Sequence, residues 1–324
     1  MTLPLELIAL CVSAAVLALI AFAIAFYLRP LTITVWSRRN GLRRAKLHKS
    51  TVNTSVGRQT VWHGGAGPLL VLLHGAGDQA GTWHKVVPEL NSRFQLVIPD
   101  LAGHAESEPR NGALSLGTLL TALERVLDSP PWRKEPLLLA GNSLGAWMAM
   151  LYAEKHADRV ARVVLIDGGP IEGVAEIGLM PKNREEARRT FAAVLDSSSP
   201  QPPGFVLDDV IRVSNTGPIS RLIAAGPDDM SKYLLDGKLA TFSTPVALIW
   251  GASDRLVPLD YAQNLQSQLP NCTLTVIDRC GHAPQLERPH EFTRVLLHAL
   301  HAGAPDKSAG EPTVPTNMKT ESKS

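Results

Sequence analysis

The chain has 324 residues, of which 45% are hydrophobic, and its 32 basic and 30 acidic side chains give a formal net charge of +2. This hydrophobic fraction excludes a disordered polar chain, and the length is sufficient for one domain of about 250 residues with a large core. Residues 1–50 hold seven of the basic and one of the acidic side chains, so the remainder is mildly acidic, with 25 basic against 29 acidic residues. Because that remainder has no patch that combines basic and aromatic side chains, we expect no nucleic-acid partner.

Residues 5–28 form a 24-residue apolar segment that is interrupted only by Glu6 and Ser13. A helix of that length is about 36 Å long at ~1.5 Å per residue, which covers a hydrocarbon core of ~30 Å. A cleaved signal peptide normally begins with a basic region, but this chain has no Lys or Arg before Arg29 and no clean cleavage site. A buried core helix would carry more polar positions. The segment therefore predicts a single-pass transmembrane anchor.

A basic segment, residues 29–50, follows the apolar one and contains seven Lys or Arg residues and no Asp or Glu. Because positive charge is retained on the cytoplasmic side, we expect the N-terminus outside and the remainder of the chain in the cytoplasm. Residues such as Ile33 and Trp36 would also let the segment lie along an anionic membrane surface. A simple stop-transfer flank explains most of the charge without lipid recognition.

The first motif with a chemical meaning is the loop His74-Gly75-Ala76-Gly77, which directly follows a strand predicted for the apolar run Leu69–Leu73. Its two glycines let backbone amides turn inward, and the Ala76 N–H is the candidate donor to a negative charge that develops on a substrate oxygen. The alternative is a loop without a catalytic role, in which Gly75 and Gly77 only allow the backbone to turn. His74 lies too early in the chain to act as a base, so we expect it to pack beneath the loop.

The most informative motif is Gly141-Asn142-Ser143-Leu144-Gly145, between an apolar strand predicted at 136–140 and a predicted helix. The G-x-S-x-G pattern is typical of a nucleophile elbow, a tight strand-to-helix turn that projects the serine hydroxyl. The elbow glycines, Gly141 and Gly145, then let strand and helix approach closely, and the Leu144 N–H is the second candidate oxyanion donor. On its own the pattern also fits a plain glycine-rich turn.

A candidate acid and a candidate base follow the elbow. Asp254 comes after one late apolar strand and His282 comes after the next. Ser143, Asp254 and His282 therefore form a candidate catalytic triad, in which the carboxylate orients the histidine and the histidine removes the serine proton. Asp167, at the end of an earlier strand, remains an alternative acid. The histidines in or beside the predicted terminal helix are expected at the surface: His290, His298 and His301.

With these residues in this order, the chain resembles the α/β-hydrolase superfamily over residues ~55–302. The segment Asp100–Ser107 is similar to the D-x-x-G-x-G-x-S loop of that superfamily, with Ala105 in place of the second glycine. Trp83 and the residues that follow His282 also fit. Within the superfamily, the arrangement resembles membrane-anchored monoacylglycerol-lipase-like serine hydrolases.

The alternation of apolar strands and helices up to residue ~167 predicts an α/β fold with a mostly parallel sheet that is covered on both faces. The resemblance implies an α/β-hydrolase fold with eight strands and a helical cap inserted after the sixth strand, at residues ~168–242. We expect the hydrolase domain at 51–302 and a disordered tail at 303–324. Apolar residues of the cap, among them Phe205 and Ile219, could line an acyl pocket or simply pack the cap onto the core.

The resemblance implies cleavage of carboxylic esters through an acyl-enzyme, with lipid-derived, monoacylglycerol-like esters as the expected substrates. We expect no cofactor and no metal, and the oligomeric state stays open. The three cysteines provide no disulfide framework, as is usual in a reducing compartment: Cys11, Cys272 and Cys280.

Other functions stay open for this fold. The Gly-Asn-Ser elbow also resembles carbon–carbon bond hydrolases of aromatic ring cleavage, which carry a Ser-Gly-Pro-Gly-type oxyanion loop and an aromatic residue after the base. This chain has Ala76-Gly77-Asp78 and Ala283 at those places, which favours ester cleavage. A non-catalytic binding protein of the same fold would be expected to have a broken triad. A membrane-tethered scaffold would act through residues 29–50.

Overall fold

The computed structural model describes residues 4–130, 132–133, 136–173 and 178–301. The tail predicted at 303–324 lies outside the described residues. An apolar helix comes first, and the chain then alternates between strands and helices.

Eight strands form one sheet within the described residues: β1 (His48–Thr54), β2 (Gly57–Gly64), β3 (Leu69–Leu73), β4 (Gln95–Pro99), β5 (Leu137–Asn142), β6 (Val160–Ile166), β7 (Val246–Gly251) and β8 (Cys272–Ile277). Their order across the sheet is β1-β2-β4-β3-β5-β6-β7-β8. β2 pairs antiparallel with β1 and with β4, and the other pairings are parallel. The predicted eight-stranded, mostly parallel sheet is therefore confirmed.

Twelve α-helices accompany the sheet in the same part of the chain: α1 (Leu5–Leu28), α2 (Pro30–Arg44), α3 (Val87–Leu90), α4 (Leu116–Leu127), α5 (Leu144–Lys155), α6 (Arg184–Val194), α7 (Gly204–Thr216), α8 (Pro218–Ile223), α9 (Pro227–Ser231), α10 (Leu259–Gln268), α11 (Pro284–Glu287) and α12 (Pro289–His301). Alternate residues of a strand point to opposite faces of the sheet. Val71 and Leu73 of β3 accordingly pack with α4, α5 and α10, whereas Leu70 and Leu72 pack with α3 and α12. Helices cover both faces, as predicted, which explains why β3 is apolar at every position.

The cap lies between β6 and β7, as predicted, and contains α6, α7, α8 and α9. Arg221 of α8 attaches the cap to the loop before α4, because its guanidinium donates to five backbone oxygens: those of Gly103, Pro109, Arg110, Asn111 and Gly112. Asp229 of α9 accepts the Leu116 N–H at 3.1 Å, at the first residue of α4. The cap is thus fixed to loops that follow the carboxyl end of β4.

Helix α1 has the length and composition of a membrane span. The stretch Glu6–Leu28 has a mean hydropathy of 2.9, and none of it is buried inside the protein. In a soluble fold such a surface would be covered, because exposed apolar patches of this size mark contact with a partner or a membrane. Length, composition and exposure together make α1 a candidate membrane anchor.

Helix α2 is packed onto the domain and is not a free flank of the anchor. Leu42 is fully buried in the hydrophobic layer that contains Trp62 of β2. Arg39 donates to Glu106 Oε1 at 2.6 Å and to Asp100 Oδ2 at 3.3 Å. The domain start predicted at residue 51 falls inside β1. The packed domain begins earlier in the chain, at α2. The basic composition of residues 29–50 concealed this packing, because several of these charges pair with acids far along the chain.

A side chain of the helical cap satisfies the N-terminus of α2. Helix α2 has no capping side chain of its own, and the Leu31 N–H donates instead to Asp209 Oδ2 of α7 at 3.0 Å. The Asp209 side chain is 1% exposed, and it also lies 2.6 Å from the Arg212 guanidinium and 3.9 Å from that of Arg29. A carboxylate at a helix N-terminus satisfies an unpaired N–H and complements the helix dipole.

Aromatic contacts extend this junction into the anchor. The Phe205 ring of α7 stacks on Tyr27 with ring centroids 5.3 Å apart, and the Phe26 ring lies 5.7 Å away. Phe205 therefore packs against the end of α1, and its role as a candidate pocket residue is not supported. The last turn of α1 is therefore attached to the cap.

We expect Asp209→Ala to lower the free energy of unfolding of the detergent-solubilised full-length chain by about 1–3 kcal/mol, because it removes a helix cap and a buried acceptor. Asp208→Ala is the matched control, since Asp208 pairs with Arg184 where both side chains are about half exposed, and such surface pairs contribute little. Thermal unfolding followed by circular dichroism compares the two. Equal midpoints for the two variants would contradict the capping role.

Candidate active site

Ser143 alone makes the turn from β5 to α5, with φ 55° and ψ −119°. A non-glycine residue rarely has a positive φ, because Cβ crowds the backbone, and such a conformation costs about 1–3 kcal/mol. The surrounding structure must hold it in place. One such restraint is the hydrogen bond from the Ser143 N–H to the Ile166 oxygen at 2.9 Å, which ties the turn to the end of β6.

Glycines make this turn sterically feasible. A Cβ on Gly141 would lie 2.1 Å from the Gly145 oxygen, and a Cβ on Gly145 would lie 2.3 Å from the Leu73 oxygen. Gly168, in the loop after β6, is equally constrained, because a Cβ there would lie 2.6 Å from Ser143 Cα. The motif identified the first two glycines. It could not identify Gly168, whose contact with the elbow depends on the parallel pairing of β5 with β6.

His282 and Asp254 form a buried hydrogen-bonded pair. His282 Nδ1 lies 2.7 Å from Asp254 Oδ2. Asp254 Oδ1 accepts the N–H groups of Leu256 and Val257 at 2.9 and 3.0 Å. Because a carboxylate oxygen accepts, the hydrogen of this bond belongs to Nδ1. This is the tautomer that a general base needs.

The elbow also fixes the loop that carries His282. The side chain of Asn142 donates to the His282 oxygen at 3.0 Å, and Gln285 donates to Asn142 Oδ1 at 3.1 Å. On the other side of the loop, Glu287 accepts the Gly281 N–H at 3.0 Å. These bonds bring the elbow serine and the histidine to the same edge of the sheet. Asn142 lies inside the sequence motif, but nothing local indicated a contact across 140 residues.

Ala76 and Leu144, the predicted oxyanion donors, lie on two segments that meet at Ser143. Leu144 is the first residue of α5, where an N–H has no preceding helical carbonyl to bind. Gly75, next to Ala76, is so close to the elbow that a Cβ on it would lie 3.2 Å from Ser143 Cβ. The positive end of the α5 dipole lies here as well, so the arrangement favours a negative charge beside the serine.

His74 is fully buried under the oxyanion loop and is saturated with hydrogen bonds. Its Nδ1–H donates to the Gly75 oxygen at 2.8 Å, and its Nε2 accepts the Leu101 N–H at 2.9 Å. Burial lowers the pKa of His74 to about 4, so the ring is neutral at physiological pH. The expectation that it packs beneath the loop agrees with these contacts. The terminal-helix histidines are exposed, also as expected: His290, His298 and His301.

Asp167, the alternative acid, does not bond to the histidine. It is fully buried at the end of β6 and accepts the Gly251 N–H at 2.8 Å. Of the two candidate acids, the structure therefore brings Asp254 to His282 Nδ1. Sequence alone could not separate them, because both follow apolar strands of a parallel sheet.

The same residues identify the family. Residues 70–295 match the model of the alpha/beta hydrolase family. The chain belongs to this family. A relative from Pseudomonas putida, 2-hydroxy-6-oxononadienedioate/2-hydroxy-6-oxononatrienedioate hydrolase 2, is 30% identical over 256 residues, which cover 71% of this chain and 87% of that protein.

Two solved structures illustrate how widely the fold is shared. A membrane phospholipase A, described as a bacterial virulence factor, is 23% identical with a TM-score of 0.72 and covers 90% of this chain and 97% of its own. A carboxylesterase of Bacillus subtilis is 19% identical with a TM-score of 0.65 and covers 83% of this chain and 99% of its own. At these identities the likeness shows the fold alone. The finer resemblance to monoacylglycerol-lipase-like enzymes stays a prediction.

We expect Gly168→Ala to slow labelling of the elbow serine by a fluorophosphonate probe about 10²-fold or more, because a displaced elbow misplaces the reacting oxygen. Gly178→Ala is the control, since a Cβ on this cap glycine meets nothing within 4 Å. The labelling rates of the purified, folded variants measure the effect. A Gly168→Ala variant that is labelled at the wild-type rate would show that the elbow tolerates the methyl group.

Proposed function

We propose that this chain is a serine hydrolase that cleaves carboxylic esters through an acyl-enzyme on Ser143. The observation that carries the proposal is the 2.7 Å bond between His282 Nδ1 and Asp254 Oδ2, at the sheet edge where a serine is held at positive φ. Membership of the alpha/beta hydrolase family, which includes many hydrolases with this constellation, supports it.

The proposed reaction has two steps. His282 Nε2 takes the proton of Ser143 while Ser143 Oγ attacks the ester carbonyl, and Asp254 stabilises the imidazolium that results. The N–H groups of Ala76 and Leu144 bind the oxyanion, and such a donor typically contributes a factor of about 10²–10³ in rate. His282 then protonates the leaving alcohol, and a water that it activates releases the acid and restores the serine.

The proposed substrates are lipid-derived esters with one acyl chain, such as monoacylglycerols. The support is the junction between the cap and the apolar helix, where Phe205 stacks on Tyr27 and Asp209 caps α2 at Leu31. If α1 spans a bilayer, this junction holds the cap at the membrane surface, where esters that partition into the bilayer are concentrated. Tethering of this kind raises effective concentration without any new contact.

A second candidate is hydrolysis of a carbon–carbon bond, because the Pseudomonas putida relative is named a hydrolase of 2-hydroxy-6-oxononadienedioate. A substrate with two carboxylates would be expected to use cationic side chains near the site. Arg221 of the cap has its five N–H donors directed at backbone oxygens. Arg39 is paired with Glu106 and Asp100. Because both guanidinium groups are engaged, ester cleavage remains the first proposal.

We expect the wild-type chain to react with a fluorophosphonate and to hydrolyse p-nitrophenyl esters and monoacylglycerols. Ser143→Ala should lose both activities and keep its unfolding midpoint, because only the nucleophile is removed. Ser267→Ala, an exposed serine of α10, is the control. Normal labelling of folded Ser143→Ala would remove the assignment. Turnover of a 2-hydroxy-6-oxo-dienedioate in the absence of ester turnover would favour the second candidate.

We propose further that α1 is retained as a membrane anchor and that the hydrolase domain faces the cytoplasm. Retention is supported by the stacking of Tyr27 on Phe205 of the cap, a contact that cleavage after the apolar segment would remove. The membrane phospholipase A covers 90% of this chain. Residues 51–324, which are 274 of 324, make up only about 85%, so the likeness includes part of residues 1–50. The proposed cytoplasmic side is supported by the basic residues at 29–50.

The full-length chain is expected to stay with membranes through high-salt and carbonate washes, because burial and not charge holds a spanning helix. A chain that begins at Arg29 should be released and remain folded, since it keeps α2. A chain that begins at Leu47 is the comparison, and we expect a lower unfolding midpoint because it loses the fully buried Leu42. Release of the full-length chain by salt would contradict the anchor. Digestion of the domain by protease outside intact cells would contradict its orientation.

A further inference from the structure

A second carboxyl group lies beside the candidate acid and takes no part in the mechanism above. Asp167 follows β6, is fully buried and has a positive φ of 48°, so its side chain is held in one place. Its Oδ1 accepts the N–H of Gly251, the last residue of β7, at 2.8 Å. Its Oδ2 is also buried and meets no N–H or hydroxyl donor in the described part of the chain. Asp254 lies three residues further along, in the same turn, and its N–H donates to the Gly251 oxygen at 3.1 Å, so both aspartates are hydrogen-bonded to Gly251.

We propose that Asp167 is protonated in the native protein and that its carboxyl O–H donates to the Asp254 carboxylate, which makes Asp167 a positioning residue of the triad. The inference rests on the proposed function, in which Asp254 orients His282. Two neighbouring buried carboxylates that are both ionised would repel each other, whereas one shared proton gives a strong charge-assisted hydrogen bond.

The hydrogen bonds of Asp254 decide which carboxyl keeps the proton. Asp254 already accepts three N–H donors, from Leu256, Val257 and His282 Nδ1. An ionised carboxylate has about four lone-pair sites, so one site remains for the Asp167 O–H. A proton on Asp254 would make its carboxyl a weaker acceptor for these three N–H donors, because charge-assisted hydrogen bonds are the stronger ones. The proton therefore resides on Asp167, which accepts a single N–H.

The surroundings also favour a neutral Asp167. Burial raises the pKa of Asp167 well above its ordinary value, and the negative charge of Asp254 raises it further. Glu287 of α11 acts in the same direction, while the Gly251 N–H opposes the shift. Two further ionisable groups, His282 and the Cys280 thiol, lie in the loop after β8. Burial raises the pKa of that thiol, and the charge of Glu287 adds to the shift.

The proton on Asp167 makes the triad sensitive to alkaline pH. While Asp167 is neutral, its O–H fixes the Asp254 carboxylate with one oxygen toward His282. When Asp167 loses its proton, the bond becomes a repulsion between two buried carboxylates. We therefore expect kcat to fall as the pH rises through the pKa of Asp167. KM should change little, because Asp167 lies behind the triad and is not placed to contact substrate.

Asp167→Asn keeps a hydrogen-bond donor at this position but cannot become negatively charged at high pH. The Gly251 N–H holds the amide oxygen, so the amide NH₂ is directed to Asp254 and donates without titrating. We expect kcat and KM within about threefold of wild type and no alkaline fall. Asp167→Ala removes the donor, and kcat should fall about 10–100-fold with little change in KM.

Steady-state kinetics of the full-length chain from pH 5 to 10 measure both variants.

Thermal unfolding against pH gives a second readout that does not require catalysis. A carboxyl whose pKa is raised on folding binds more protons in the native state, so it costs stability as the pH rises from about 4 toward its folded pKa. Asp167→Asn lacks this cost. The difference between its thermal unfolding midpoint and that of wild type should therefore shift in favour of the variant as the pH rises over that range. Asp196→Asn is the control of opposite sign, because the Ser198 and Ser253 hydroxyls hold the pKa of Asp196 at about 2. Its midpoint should lie below that of wild type at neutral pH.

Each outcome bears on the proposal. A midpoint difference between Asp167→Asn and wild type that stays constant with pH would overturn it, as would an Asn variant with kcat as low as that of the Ala variant. If the wild-type chain hydrolyses no ester, the proposed function fails, and the unfolding curves still report whether Asp167 holds a proton.

Discussion

The elbow at Ser143 is the constraint on which the rest of the site depends. One residue reverses the chain from a central strand into a helix, and its positive φ must be enforced by its neighbours. The neighbours can approach closely enough only where they lack a side chain, which places glycine at Gly141, Gly145 and Gly168. Because β3, β5 and β6 are parallel, the loops after their carboxyl ends converge at this point, and the same topology brings the acid and base loops of β7 and β8 to one edge.

A second constraint joins the apolar helix to the cap. Helix α2 would begin with unpaired N–H groups, and a carboxylate from the cap, Asp209, satisfies one of them. Phe205 covers the end of α1 from the same cap helix. On the opposite side, Arg221 and Asp229 fix the cap to the loop before α4 and to the start of that helix. The cap therefore connects the apolar helix α1 to the core, because its helices contact both α1 and the loop before α4.

Features that depend on residues close together in the chain could be predicted from the sequence. The elbow, the oxyanion loop and the strand alternation depend on consecutive residues, and the resemblance that these motifs carry implied the eight-stranded sheet and the inserted cap. Features that depend on distant partners were not accessible. The buried Leu42 and the ion pairs of Arg39 looked like a basic flank, because their partners lie beyond residue 60. The contact of Gly168 with the elbow, and that of Asn142 with the His282 loop, likewise appear only when the strands are paired.

Like groups acquire different chemistry at this edge because burial and partners differ. His74 and His282 both place a hydrogen on Nδ1, but the remaining nitrogen of His74 is consumed by the Leu101 N–H. Full desolvation keeps the His74 ring neutral, so it supports the loop and cannot exchange protons with a substrate. The two aspartates divide in the same way. Asp254 accepts three N–H donors and Asp167 accepts one, and burial together with the neighbouring Asp254 raises the pKa of Asp167. One buried negative charge beside the histidine is thus stabilised by backbone donors on one side and by a neutral carboxyl on the other.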